Sequence, residues 1–318
     1  MAKKPIDFNK LFKKVAIVYG AIFLVGIILT CIFGAKLDIN FRGGTVISYS
    51  YTTNEEIADI DPQNVKDLAS EVFSTDSAVT KGAAISADSY TLTVSLVKNE
   101  GITTEALENF TKSLTEKYPD NSVELYSSTS VSPTLAGAFF LKSLVAVLVT
   151  SILVVIYIGF RFRKIGGITA ALTALVALVL DVLVSFFVCV IFRLQIDSNY
   201  IAVVLTLLGY SLNDTIVVYD RVRENKKMLP ELSLAENVNL SLNKCMTRNI
   251  VTSVTTVMAV LTIVVVAEFC GLSSLRTFAI PMAFGLVSGC CSSLFIAAPL
   301  WVVWRKKLDA KKGAKVQA

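Results

Sequence analysis

"LLGYSLNDTIVVYDRVREN", Leu207 to Asn225, decides how the rest of the chain is read. It opens as apolar sequence fit for a bilayer, sets Asn213 beside Asp214, returns to Thr-Ile-Val-Val-Tyr and ends in dense charge. A carboxylate at membrane depth costs at least ~2.5–3.5 kcal/mol on insertion scales, so it marks an ion pathway or a relay. The surrounding sequence has to supply both a membrane span and a partner for that acid.

Composition supplies the span. Of 318 residues, 54% are apolar and 17% charged, and the mean hydropathy is +0.64. That is far from a soluble domain. Six apolar runs lie near 15–34, 138–160, 167–191, 199–219, 250–269 and 277–304. Each reaches the roughly 20 residues that ~30 Å of hydrocarbon requires. The first lacks a small-residue cleavage pattern and reads as a retained span. The expected fold class is membrane α-helical. Five Lys in residues 1–14, three Lys/Arg in "RFRK" (161–164), six in 220–249 and six from Arg305 onward share one side of a six-span threading. The short opposite loops hold Arg193 and Arg276. The positive-inside rule therefore places both termini, 1–14 and 305–318, in the cytoplasm. The net charge of +5 reports topology and contact with anionic membrane lipids, not a nucleic-acid partner.

Residues 35–135 then form an outer domain with 15 acidic and seven basic residues. "TVISYSY" (45–51) alternates as a strand, "PQNVKDLASEVF" (62–73) is helical behind an Asp-Pro start, and "SYTLTVSLV" (89–97) pairs with a strand near 78–86. "TTEALENFTKSLTEKY" (103–118) opens on a Thr cap as a helix, and "SVELYSS" (122–128) closes as a strand. The order β-α-β-β-α-β predicts a ferredoxin-like α+β unit. It carries no His, no Cys and no phosphate loop, since "FRGGT" (41–45) has no helix directly behind it. Its acidity reads as solvated surface, or as a surface taking extended polypeptide along a sheet edge.

With no His and no CxxC pair among six Cys, metal sites and Cys-His or Ser-His-Asp nucleophiles are not expected. The remaining chemistry lies in the membrane. Asp181 sits near the middle of span three, and Asn213 and Asp214 in span four. Span five opens "TRNIVTSVTTVM", with Arg248 at its entrance and Thr252, Ser253, Thr255 and Thr256 behind it. Arg248 and Thr252 are i,i+4, on the same membrane side as Asp214, and Arg248 can snorkel toward that carboxylate. Asn213 is placed to hold the carboxyl by hydrogen bonding. The bland readings stand beside these: Arg248 as a charge anchor, the hydroxyls as helix-helix contacts, and Asp181 as a buried structural group.

"GYSLNDTIVVYDRVREN" (209–225) resembles the span-four signature of the SecF family of protein-export membrane subunits. "FRGGT" (41–45), "GFRFRK" (159–164), "LDVLVS" (180–185), "SLNKCMTRNIVTSVTTVMAVL" (241–261) and "GLVSGCCSSLFIAAPL" (285–300) resemble further family segments in the same order. The resemblance implies half of an RND-type transporter, with one span, an outer domain and five more spans. It implies a separate SecD chain and the SecYEG channel as partners, with the translocating preprotein and, indirectly, SecA. It implies no cofactor and no enzyme activity, but a coupling ion, the proton or in some relatives sodium. On that resemblance Asp214 is the ion-binding carboxylate, Arg248 its gating partner and Thr252 a supporting group, with Asn213 and, more weakly, Asp181 beside them. Phe41, Gly43 and Gly44 carry the outer motif. Two departures stand out: Asn40 replaces the family's Asp before Phe41, and Leu180 replaces a His before Asp181. Three rival readings stay open. They are half of an RND small-molecule exporter, an ion-independent scaffold of the translocon, and an intramembrane aspartyl protease. Residue counting weighs against the last by offsetting Asp181 and Asp214 in depth by ~12 Å.

Overall fold

In a computed structural model the described residues are 6–53, 57–75, 77–86, 89–96, 102–269 and 273–316, without the side chains of 82–86, 273–274 and 311–316. Lys3, Lys4, Val97, Cys270 and the last two residues of the expected tail lie outside them. Six helices are long and apolar enough to cross a membrane. They are α1 (Phe8–Phe33), α5 (Pro133–Arg161), α6 (Gly167–Ile191), α7 (Ser198–Met228), α8 (Leu234–Phe269), and a last span of α9 (Ser273–Ser292), a π-helical turn (Ser293–Ala297) and α10 (Ala298–Val316). Helices α6, α7 and the last span are half or more buried along their apolar windows, while α1, α5 and α8 are largely exposed.

Helix ends follow local capping chemistry more closely than hydropathy. Asp7 accepts from the Lys10 amide and starts α1 well before the apolar run at 15. Helix α8 begins not at 250 but at Leu234, behind a capping box. There the Ser233 amide donates to Glu236 Oε2 (3.0 Å) and the Glu236 amide donates to Ser233 Oγ (3.4 Å). A hydropathy window misses this turn because its exposed face is charged. The buried face of α8 still runs with helical period through Val238, Leu242, Cys245, Asn249, Ser253 and Val260.

Between α1 and α5 lies the α+β domain: β1 (Gly44–Thr52), α3 (Pro62–Phe73), β2 (Ser77–Ser86), β3 (Ser89–Leu96), α4 (Thr104–Lys117) and β4 (Glu124–Val131). Strand order is β2-β3-β1-β4 with every neighbour antiparallel, the ferredoxin-like arrangement. Alternation along β1 sends Ile47, Tyr49 and Tyr51 inward against Phe73 and Phe110 of α3 and α4. Each fully buried ring or aliphatic chain of this kind contributes roughly 1.5–3 kcal/mol. The helices cap as their sequences predict, Asp61 accepting from the Gln63 amide (3.0 Å) and Thr103 from the Ala106 amide (3.3 Å). Strand β4 is an open edge with Leu125 and Tyr126 exposed.

A short joint connects domain and bundle. After α1, residues 34–38 run beside the α6–α7 loop: the Ile196 amide donates to Lys36 O (2.8 Å) and the Asp38 amide to Ile196 O (3.0 Å), around a parallel bridge from Leu37 to Ile196. Gln195 Nε2 donates to Asp38 Oδ1 (3.0 Å), and Asp38 also caps the one-turn helix α2 (Ile39–Arg42). Phe41 packs on Phe139 and Phe140 of α5, with ring centroids 5.3 and 6.1 Å away. Gly43 (φ +79°) and Gly44 (φ +135°) then turn the chain into β1. A Cβ on Gly43 would lie 2.9 Å from Pro133 Cα, and one on Gly44 2.3 Å from the Leu96 carbonyl oxygen. The "FRGGT" residues are thus a joint between domain and bundle.

Candidate functional site

Asp214 is buried on the inner face of α7. Its carboxylate accepts from Ser253 Oγ at 3.2 Å, and Asn249 Nδ2 reaches its backbone oxygen at 3.5 Å. Both partners lie on the buried stripe of α8. Arg248 and Thr252, each one residue earlier on α8, are rotated about 100° from that stripe. Thr252 Oγ1 donates to the Arg248 backbone oxygen (2.8 Å), within its own helix. The hydroxyl hydrogen-bonded to the Asp214 carboxylate is that of Ser253, while the Thr252 hydroxyl is engaged within its own helix.

Arg248 is exposed and, among the described residues, in no ion pair. It acts on Asp214 electrostatically and lines a cavity of about 580 Å³ on the side of the bundle that carries both termini. Asp220, Arg221, Arg223, Glu224 and Lys244 share that cavity. Arg221 pairs with Glu224 (2.5 Å), and Asp220 with Arg223 (2.8 Å) and Arg161 (3.1 Å). Among the described residues Arg221, Arg223 and Arg161 thus each have a carboxylate, whereas Arg248 and Lys244 have none, and of these two Arg248 adjoins Asn249, which reaches Asp214.

Asn213 does not support Asp214 as expected. Adjacent helical residues point about 100° apart, and Asn213 is exposed on the outer face of α7. That face continues through the exposed Thr206 and Gly209, with open space at the latter. The exposed Thr255 lies on α8, which Tyr210 ties to α7 by donating to Thr252 O (3.2 Å). Polar side chains on an outer helix face at membrane depth are stabilised by another helix rather than by lipid.

Asp181 is wholly buried on α6. Ser211 Oγ (2.7 Å) and Ser292 Oγ (2.9 Å) donate to Oδ2, and Ser288 Oγ (2.7 Å) to Oδ1. Ser211 stands three residues before Asp214 on α7, so the two acids differ in depth by about one helical turn, not ~12 Å. The residue count failed because α6 and α7 cross with Asp181 alongside Ser211. The three serines were not anticipated. They come from 30 to 111 residues away in sequence, and serine in an apolar helix carries no signal of its own.

A family model for "Protein export membrane protein SecD/SecF, C-terminal" matches residues 110–307, more than half of the chain. The chain belongs to the SecD/SecF protein-export membrane protein family. Among its relatives, the protein translocase subunit SecF of Alicyclobacillus acidocaldarius is 31% identical over 91% of this chain and 89% of its own. The SecF subunit of Borreliella burgdorferi is 30% identical over 96% of this chain and 99% of its own. The SecDF subunit of Bacillus subtilis is 32% identical over 97% of this chain but only 39% of its own length. A crystal structure of SecDF from Thermus thermophilus, described as translocon-associated, superposes with a TM-score of 0.78. It shows 25% identity over 96% of this chain and 39% of that one. The chain is thus a multi-pass member of a protein-export family, and the SecDF relative from Bacillus subtilis is more than twice as long. With Asp181 and Asp214 close in depth, it is family membership that weighs against a protease.

Proposed function

We propose that this chain is the SecF half of a two-half export device. It pairs with a separate SecD chain beside the SecYEG channel and uses an ion gradient to help move preprotein that SecA has delivered. The observation that carries the reading is Asp214: a buried carboxylate at membrane depth, held by one serine and facing an unpaired arginine in a cavity open on the terminal side. Such an acid takes up and releases a proton, and Arg248 senses the change in charge. One elementary charge crossing 100 mV yields roughly 2.3 kcal/mol, enough to shift a two-state equilibrium nearly fiftyfold. The polar outer face around Asn213 suits a second transmembrane half, and the length ratio to fused SecDF relatives supports the same division. The positive-inside bias supports a reading in which the chain sits in the bacterial cytoplasmic membrane with its termini and the cavity on the cytoplasmic side. On the other side, the open β4 edge with Leu125 and Tyr126 offers a place for extended polypeptide.

The test is export in cells. Asp214→Asn, inserted at normal level, loses gradient-stimulated export of a secreted reporter while residual export continues through the channel. Full stimulation by that variant refutes the relay and favours the ion-independent scaffold.

A further inference from the structure

The cavity of about 580 Å³ between α7 and α8 holds more positive charge than its own carboxylates balance. Arg221, Arg223, Lys244 and Arg248 line it, against Asp220 and Glu224. Both carboxylates are already engaged, Glu224 by Arg221 at 2.5 Å, and Asp220 by Arg223 at 2.8 Å and Arg161 at 3.1 Å. Lys244 and Arg248 are exposed and, among the described residues, form no ion pair. They are i,i+4 on one helix face, where like charges destabilise each other unless an anion lies between them. Cys245, the third α8 residue in the wall, supplies no charge, because its thiol turns inward to donate to Val217 O at 3.9 Å.

We propose that this cavity is a binding site for the phosphodiester headgroup of an anionic membrane phospholipid, with Lys244 and Arg248 as its ligands. Depth argues for a lipid. The cavity lies where the apolar runs end, near residue 219 in α7 and 250 in α8, which is the level of the headgroups in a bilayer. Its inner wall is apolar, formed by the half-buried Ile216 and Val217. Deeper along α8, Val251 and Met258 stand seven and fourteen residues beyond Lys244, close to the same face, and are 55% and 61% exposed. An acyl chain can lie along that line while its phosphate stays between the two cations. Basic pockets between transmembrane helices take anionic headgroups in this manner.

Chemistry argues for the phosphodiester. A guanidinium grips phosphate oxygens with its planar fork, and an ammonium one helical turn away adds a point charge. A free nucleotide fits poorly, because the lining residues include no aromatic ring to stack a base and no glycine to let a loop cradle a phosphate chain. Four cations against two carboxylates leave two positive charges over. That excess matches cardiolipin, which carries two phosphodiesters on one headgroup, better than phosphatidylglycerol, which carries one.

The test is native mass spectrometry of the purified full chain in detergent, titrated with cardiolipin, phosphatidylglycerol or phosphatidylcholine. The first cardiolipin is expected to bind about tenfold more tightly than phosphatidylcholine or better, with phosphatidylglycerol between them. Lys244 has no part in the relay, and Lys244→Gln weakens cardiolipin binding about fivefold, the share of one basic residue at a membrane surface. Lys244→Arg keeps the charge and the affinity. Lys227→Gln removes an exposed lysine outside the cavity and changes the affinity by less than about twofold. Asp214→Asn still binds cardiolipin, so a failed export relay and a failed lipid site are told apart. Equal affinity for cardiolipin and phosphatidylcholine overturns the proposal and leaves the two cations to carboxylates of a partner chain. So do equal losses in Lys244→Gln and Lys227→Gln, which report bulk charge, and displacement of the lipid by millimolar inorganic phosphate, which points to a free anion.

Discussion

Gly44→Ala tests the joint at its tightest point. At φ +135° an alanine carries backbone strain of about 1–3 kcal/mol. Its methyl would also stand 2.3 Å from Leu96 O, so the two must separate by about 1 Å to reach ordinary contact. Overpacking of that kind adds about 1–3 kcal/mol. Leu96 pairs with Thr45 at the end of the β1–β3 ladder, so the displacement opens the ladder from that end. Taking ~3 kcal/mol as the combined loss, amide protection in 44–52 and 89–96 falls about 100-fold. Hydrogen exchange read by mass spectrometry on the full chain in nanodiscs measures this peptide by peptide. Peptides from α6 and α7 keep their protection, because the joint lies outside the buried core of the bundle. Gly34→Ala is the control: its φ is +65° but nothing lies within 4 Å, so only conformational strain remains and the loss is smaller. Unchanged protection in β1 and β3 of Gly44→Ala, or equal losses throughout the bundle, refutes the argument.

Other expectations follow from the same geometry. Trp301→Ala removes a fully buried ring whose centroid lies 5.4 Å from that of Tyr219, and costs about 3–5 kcal/mol, seen as a lower Tm of the purified chain. Asn213→Leu leaves the hydrogen bond to Asp214 intact and the chain fully inserted, but lowers recovery of its partner half in co-purification; undiminished recovery counts against the polar outer face as the contact. In the outer domain Asp59 accepts from Lys81 and from the Tyr51 hydroxyl (3.0 Å), and the Lys81 ammonium holds its carboxyl below the usual carboxylate range. A carboxyl lowered on folding adds stability above its unfolded value near ~3.9, and that stability is lost as pH falls through the folded value. The pair is largely exposed, so the gain stays under about 1 kcal/mol; Lys81→Met flattens the acid limb of a stability-against-pH curve by that amount.

Hydropathy and alternation made the architecture legible. Length and apolarity alone mark a spanning helix, and the two-residue period of "TVISYSY" marks a half-buried strand. The acid in α7 was equally visible, because a carboxylate in apolar surroundings has few explanations. What surrounds that acid was not visible. Sequence proximity favoured Asn213 and the Arg248–Thr252 pair, yet a helix turns neighbours about 100° apart, which brought Asn249 and Ser253 to Asp214 instead. That signal was within reach, since Cys245, Asn249 and Ser253 extend the apolar face begun by Val238 and Leu242. The serine cradle of Asp181 was beyond reach, because it depends on which turns of α6, α7 and α9 face each other.

The bridge from Leu37 to Ile196 gives the outer domain a third foot. Besides its covalent attachments through α1 and α5, it stands on the corner that joins the helix bearing Asp181 to the helix bearing Asp214. A body resting on two points can swing about the line between them, whereas one resting on three can tilt only if a foot moves. Whatever slides α6 against α7 must therefore lean the whole sheet, with the open β4 edge sweeping the widest arc.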